Sequence, residues 1–173
     1  MKTIKKLALA AAATVAAASM GHAQGAIKFG SAGGWNVYQN VARGGACYAE
    51  KVLPGGEIFQ VGELDAGRNF GFLALYSPQN LGFGNGDIGT AEFLVGDTVY
   101  GGKAFGVDTT GGNGANYNGG FIIADNPSFG DGLTSNTRMA VFTGRIDGGV
   151  VVPLDGIEAA AQTIQSCIGS RGG

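Results

Sequence analysis

The sequence predicts a mainly β protein, an antiparallel β-sandwich or barrel of short strands with one C-terminal α-helix packed on it. Three observations carry that expectation. Glycine is abundant, 34 residues in a chain of 173, yet it lies between short apolar runs rather than in one tract. The runs are about five residues long and are bounded by turn residues every ten or so, the spacing of strands joined by tight turns. One run alone has clear helical periodicity, and it lies near the end of the chain. The ten Phe, five Tyr and one Trp argue against a glycine-rich disordered chain, which lacks the large apolar groups needed to offset the entropy of ordering.

The first 23 residues stand apart. Lys2, Lys5 and Lys6 make a basic head, and Leu7 to Ala18 make an apolar run. Gly21-His22-Ala23 then places small residues at the first and third positions. This is the three-part pattern of a secretory signal, with cleavage expected after Ala23. The apolar run is too short for a membrane-spanning helix, which needs about 20 residues. No cysteine follows the cleavage point, so no lipid anchor is expected. The remaining chain, residues 24–173, reads as one β-rich domain. Removing three lysines takes the formal net charge from −2 to −5. A mildly acidic chain without a basic stripe predicts neither nucleic-acid binding nor insertion in a membrane after cleavage.

The strands can be read in order. "WNVY" alternates, with Trp35 and Val37 on one face. "ACYAEKVL" follows "ARGG", and "EIFQVGEL" follows Pro54-Gly55-Gly56. In "NFGFLALYS", Phe70, Phe72, Ala74 and Tyr76 share one side, with Leu73 and Leu75 on the other. "TAEFLVG", "KAFGVD", "GGFIIAD" and "RMAVFTGRI" come next. The last turns at Asp147-Gly148-Gly149 into "VVVPL". Residues 108–120 and 125–137 are polar, without apolar periodicity, and are expected to be loops of the kind that carry binding groups.

The helix is expected at about 155–168. Asp155 is a good N-cap residue, and Glu158 completes a capping box. Ile157, Ala160, Ala161, Ile164 and Ile168 recur on one face, with Cys167 at its edge. Gly169 is placed to end the helix in a left-handed turn.

Cys47 and Cys167 are the only cysteines. Export places both in an oxidising compartment, and both strand and helix patterns aim them inward, so a structural disulfide between them is predicted. No Cys-x-x-Cys redox motif is present, and two thiolates alone do not make a metal site. The single histidine, His22, belongs to the leader. The mature chain therefore has no Ser-His-Asp or Cys-His system and no histidine-bearing zinc site. No catalytic residue, cofactor or metal is expected. "GGNGANYNGG" and "GFGNGDIG" miss required positions of a calcium-roll repeat and form no array.

"GGWNVYQNVARGGACYAE" near the mature start and "MAVFTGRIDGGVVVPLDGIEAAAQTIQSC" at the end together resemble the invasion-associated locus B type of small exported proteobacterial proteins. The likeness rests on a Trp-x-Val strand, a cysteine strand, a late hairpin, and an Ala-rich helix after Leu-Asp-Gly. It implies a periplasmic β-sandwich with no established catalytic site, in some cases linked to host interaction.

The functional expectation is an exported, non-catalytic β-domain in the periplasm or outside the cell that binds a protein or envelope component. Trp35, Tyr38 and Tyr117 are the first candidates for its contact surface. One alternative is a self-assembling surface subunit, since Gly-rich aromatic strands with few charges can pair edge to edge. The other is a carboxylate-dependent glycan hydrolase drawing on Glu57, Glu63, Asp65 or Glu92, which needs two carboxyl groups facing across a cleft.

Overall fold

A computed structural model describes residues 25–67, 71–110, 115–124, 127–143 and 149–172. The leader lies outside the described residues, as do Phe70 and the Asp147-Gly148 part of the late turn. Ten strands form one unclosed antiparallel sheet: β1 (Ala26–Ala32), β2 (Trp35–Asn40), β3 (Ala46–Val52), β4 (Ile58–Glu63), β5 (Gly71–Ser77), β6 (Ile88–Val95), β7 (Thr98–Thr110), β8 (Asn116–Ala124), β9 (Arg138–Thr143) and β10 (Gly149–Pro153). Helix α1 (Pro127–Thr134) joins β8 to β9, and α2 (Ile157–Gly169) follows β10. No helix among the described residues is long and apolar enough to cross a membrane, a statement that does not extend to strands.

The strand order is β1-β2-β3-β4-β5-β8-β7-β6-β9-β10. The first five strands meander. The chain then crosses to β6 and returns through β7 to set β8 beside β5, and α1 carries it back to lay β9 on the far side of β6. Val37, Ala49, Val61, Leu73 and Ile122 lie opposite one another across five strands, so their side chains share one face. That face, with Trp35, Phe59, Phe93 and Met139, makes the main core. Ile157, Ala160, Ile164 and Cys167 of α2 are buried on it, and Cys167 sits within the buried stripe rather than at its edge.

Several elements depart from the sequence reading, each for a local reason. β1 was not foreseen: Ile27 is 60% exposed, so no apolar face signals it, and pairing with β2 alone defines it. Of residues 108–120, those described are largely strand, because Asp108, Thr109 and Thr110 pair with Asn118, Tyr117 and Asn116 where β7 meets β8. Residues 125–137 contain α1, which opens on Pro127, a residue suited to a first turn. Its two glycines dilute the helical pattern.

Helix α2 starts at Gly156 (φ 77°), with no side-chain cap, in place of the expected Asp155 capping box. The backbone oxygen of Asp155 instead accepts from Trp35 Nε1 at 2.9 Å and from Lys51 Nζ at 3.2 Å. Gly156 packs directly on Gly33 (φ 58°) of the β1–β2 turn, where a Cβ on Gly33 would stand 2.5 Å from Gly156 Cα. Gly169 stays inside the helix. Ser170 follows in right-handed geometry, its Oγ donating to Cys167 O at 2.7 Å, and a 3₁₀ turn continues to Gly172.

The Cys47–Cys167 disulfide joins β3 to α2, with Cα atoms 6.1 Å apart and a separation of 120 residues. Closing so long a loop contributes on the order of 4–5 kcal/mol in the chain-entropy account. An ion pair lies beside it: Arg171 Nη2 donates to Glu63 Oε1 at 2.8 Å, while Glu63 Oε2 accepts the Cys47 N–H at 3.0 Å.

Candidate functional site

The opposite face of the sheet carries a second, chemically different set. β3 is buried on both sides, Ala46 to Glu50 without interruption. Cys47 and Ala49 serve the main core, so Ala46, Tyr48 and Glu50 point the other way. Register extends this set across the neighbouring strands. Tyr48 lies opposite Tyr38 and Gly62, Gly62 opposite Phe72, Glu50 opposite Gln60, and Ala74 opposite Phe121.

These residues frame a cavity of about 190 Å³. Its walls are Tyr48, Phe72 and Phe121 with Ile58, Tyr76 and Val107, and its polar lining is Asn40, Arg43, Gln60, Glu63 and Thr109. The wall residues come from β3, β4, β5, β8 and β7, consecutive strands of the sheet, so the sheet curls around the space. Rings are in contact throughout. Tyr38 stacks on Tyr48 with centroids 5.5 Å apart, Tyr48 meets Phe72 at 6.1 Å, and Phe105 stacks on Phe121 at 5.3 Å. Gly62 makes the Tyr48 packing possible. A Cβ there would stand 2.6 Å from Tyr48 Cβ, so any side chain would displace the strand or the ring.

The electrostatics of this face are unusual for a sheet. Glu50 is 2% exposed, and its Oε2 accepts from Gln60 Nε2 at 2.8 Å. Burial raises the Glu50 carboxyl above its ordinary 4.5, and the Gln60 hydrogen bond opposes that only in part. Burial and then the Glu50 charge push the Tyr48 phenol well above its usual range and take Tyr38 up to about 12. Tyr76 is also pushed up to about 12, by burial first, with the Arg43 charge acting against it. Tyr48 is 6% exposed, and its hydroxyl has no hydrogen-bond partner among the described residues; nor does that of Tyr76.

Arg43 stands at the mouth. It closes the short 3₁₀ turn after β2, where its N–H meets Asn40 Oδ1 at 3.3 Å and its carbonyl accepts from Ala66 N at 3.2 Å. Its Nη1 donates to Leu64 O at 3.3 Å, which aims the guanidinium along the rim. Glu63 also borders the cavity, but its charge is paired with Arg171.

Nothing in the comparisons with known proteins extends this picture. No family model, no curated protein and no solved structure matches the chain. The site is therefore read from its own geometry.

The structure places the anticipated contact residues differently. Trp35, Tyr38 and Tyr117 are 0%, 1% and 3% exposed, so none presents a ring to a partner. Trp35 packs edge-on against Phe59 in the main core, under the Lys51 ammonium at 5.0 Å from its ring centroid. Tyr38 backs the cavity through Tyr48, and Tyr117 lies at the far end of the β7–β8 hairpin. The carboxylates considered for hydrolysis are not gathered. Glu57 lies in the β3–β4 turn, Glu63 is ion-paired, Asp65 follows β4, and Glu92 sits on β6. Among the described residues no three His, Cys, Asp or Glu side chains group as metal ligands. The sequence reading missed Tyr48, Gln60 and Phe121. The signal available was parity: Phe72 and Tyr76 share a side of β5, and Tyr48 and Glu50 alternate with Cys47.

Proposed function

We propose that this chain is an exported β-domain that acts by binding, in the periplasm or outside the cell, and that the aromatic cavity is where it binds. The observation that carries the reading is the pairing of ring walls with the hydroxyls of buried Tyr48 and half-buried Tyr76, which have no partner among the described residues. Hydroxyls that face a cavity and are not used by the fold are available to a ligand that enters it. Pockets with apolar walls and a few convergent polar groups are the usual form of small-ligand sites. The leader pattern and the disulfide both suit an oxidising compartment, and the likeness of the chain ends to the invasion-associated locus B type agrees with it. The partner is an envelope component small enough, or carrying a group small enough, to enter.

The reading is tested by amide NMR on the mature chain, residues 24–173, titrated with the low-molecular-weight fraction of envelope extract. Shifts are expected at Tyr48, Phe72 and Phe121 and should vanish in a folded Val107→Trp variant, which fills the space from β7. An extract that leaves those amides unmoved in the wild type removes the proposal.

A second reading, self-assembly, is favoured by one observation. Val151, Ala140, Leu94 and Val99 stand in register across β10, β9, β6 and β7, and Val151 and Val99 are 60% and 61% exposed. Light scattering across a concentration series decides it. Growth in mass abolished by Leu94→Lys supports assembly, and a constant monomer mass excludes it.

A further inference from the structure

The cavity's dimensions and lining narrow what it takes, on the premise that it is the binding site. Its volume of about 190 Å³ is below the ~300–1,000 Å³ typical of drug-sized ligand sites. A lipid chain, a disaccharide or a peptide does not fit whole, whereas one six-membered ring does. The walls select further. Tyr48, Phe72 and Phe121 line it with aromatic rings, which favour offset or edge-on contact with another ring beyond burial alone.

The two ends of the space differ in charge. At the mouth, Arg43 has no carboxylate partner among the described residues, while the nearby Glu63 charge is neutralised by Arg171. The guanidinium is held by the Nη1 bond to Leu64 O and keeps donors without partners among the described residues, the arrangement that takes a carboxylate well. Within, Gln60 has given its Nε2 to Glu50, which leaves its Oε1 as an acceptor in the lining it shares with Tyr48 and Tyr76. This inner set is neutral and both donates and accepts, so it suits a hydroxyl and not a second charge, whose burial would be costly.

We propose that the cavity is a site for a small single-ring aromatic acid carrying a ring hydroxyl. Its ring lies among Tyr48, Phe72 and Phe121, its carboxylate meets Arg43, and its hydroxyl reaches Gln60 and the two tyrosine hydroxyls. Affinity is set by the ring, and selection by the two polar ends.

The test is calorimetry on the oxidised mature chain with four probes: 4-hydroxybenzoate, benzoate, 4-hydroxybenzyl alcohol and cyclohexanecarboxylate. The hydroxy acid is expected to bind at least tenfold more tightly than each of the other three. Arg43→Gln, an exposed change that leaves the core untouched, should weaken 4-hydroxybenzoate about tenfold and erase its advantage over the alcohol. Tyr48→Phe should weaken 4-hydroxybenzoate while leaving benzoate unchanged. Equal binding of acid and alcohol to the wild type overturns the proposal, as does a hydroxy acid indifferent to Arg43→Gln. If an extract component enters the cavity but none of the four probes does, the ligand class is wrong and the binding reading stands. If nothing enters, both fall.

Discussion

At the scale of single residues, Glu50 decides how this face behaves with pH. Its folded carboxyl is raised, so the folded state holds the proton more firmly than the unfolded chain. The stability this gives is fully present below the ordinary value of 4.5 and is lost as pH rises through the folded value. Glu50→Gln keeps the acceptor for Gln60 Nε2 and removes the charge. It should raise Tm at pH 7 and leave it nearly unchanged at pH 4, as calorimetric scans at the two pH values would show. Loss of stability at pH 7 would mean the carboxylate is satisfied there. Tyr48 invites a second substitution of the same kind. Because its hydroxyl has no partner among the described residues, Tyr48→Phe in the ligand-free protein should be neutral or stabilising by about 1 kcal/mol in urea unfolding. A loss of 2 kcal/mol would show that the hydroxyl is paired.

At the scale of elements, the decisive contacts join pieces far apart in sequence. Lys51 of β3 donates to Pro153 O at 3.0 Å and holds the end of β10 against the start of α2. Gly33 and Gly156 let the β1–β2 turn touch the helix start backbone to backbone. Gly156→Ala adds a clash with the Gly33 backbone to an unfavourable φ of 77°, and should cost about 2–3 kcal/mol in urea unfolding. An equal change at Gly34, where a Cβ meets nothing within 4 Å, should cost less. These contacts also mark where the sequence stops being legible. The class of fold, most strands and α2 follow from periodicity, and the Cys47–Cys167 pairing from two inward-facing cysteines. The helix start does not. Asp155 has the side chain for capping, but its carbonyl is claimed by Trp35 and Lys51 from β2 and β3, and Gly156 replaces it. β1 has no signal of its own, since its partner strand and not its apolar pattern holds it. The cavity was half visible. Parity in "NFGFLALYS" and "ACYAEKVL" sorts Phe72, Tyr76, Tyr48 and Glu50 onto one side of their strands. That this side curls into a pocket depends on the unusual strand order, which no local pattern states.

At the scale of the whole molecule, one covalent bond and one ion pair fasten the last turn of the chain to β3 and β4. Replacing both cysteines by serine should lower stability by about 3–5 kcal/mol in urea unfolding, and hydrogen exchange should quicken first in α2. Uniform quickening across the sheet would instead mean that the helix is not a separable unit. The sheet has two faces with different tasks, and β3 is shared between them. Neighbouring residues on that strand, Cys47 and Tyr48, serve the two sides in turn. Were β3 to pair one position out of step, the sulfur would face the pocket and the phenol would face α2. Cys167 could then not be bridged, since the Cβ of Cys47 would point to the opposite face of the sheet. The native sulfur bridge and the native pocket thus require the same alignment of β3, so a chain that carries one is set up to carry the other.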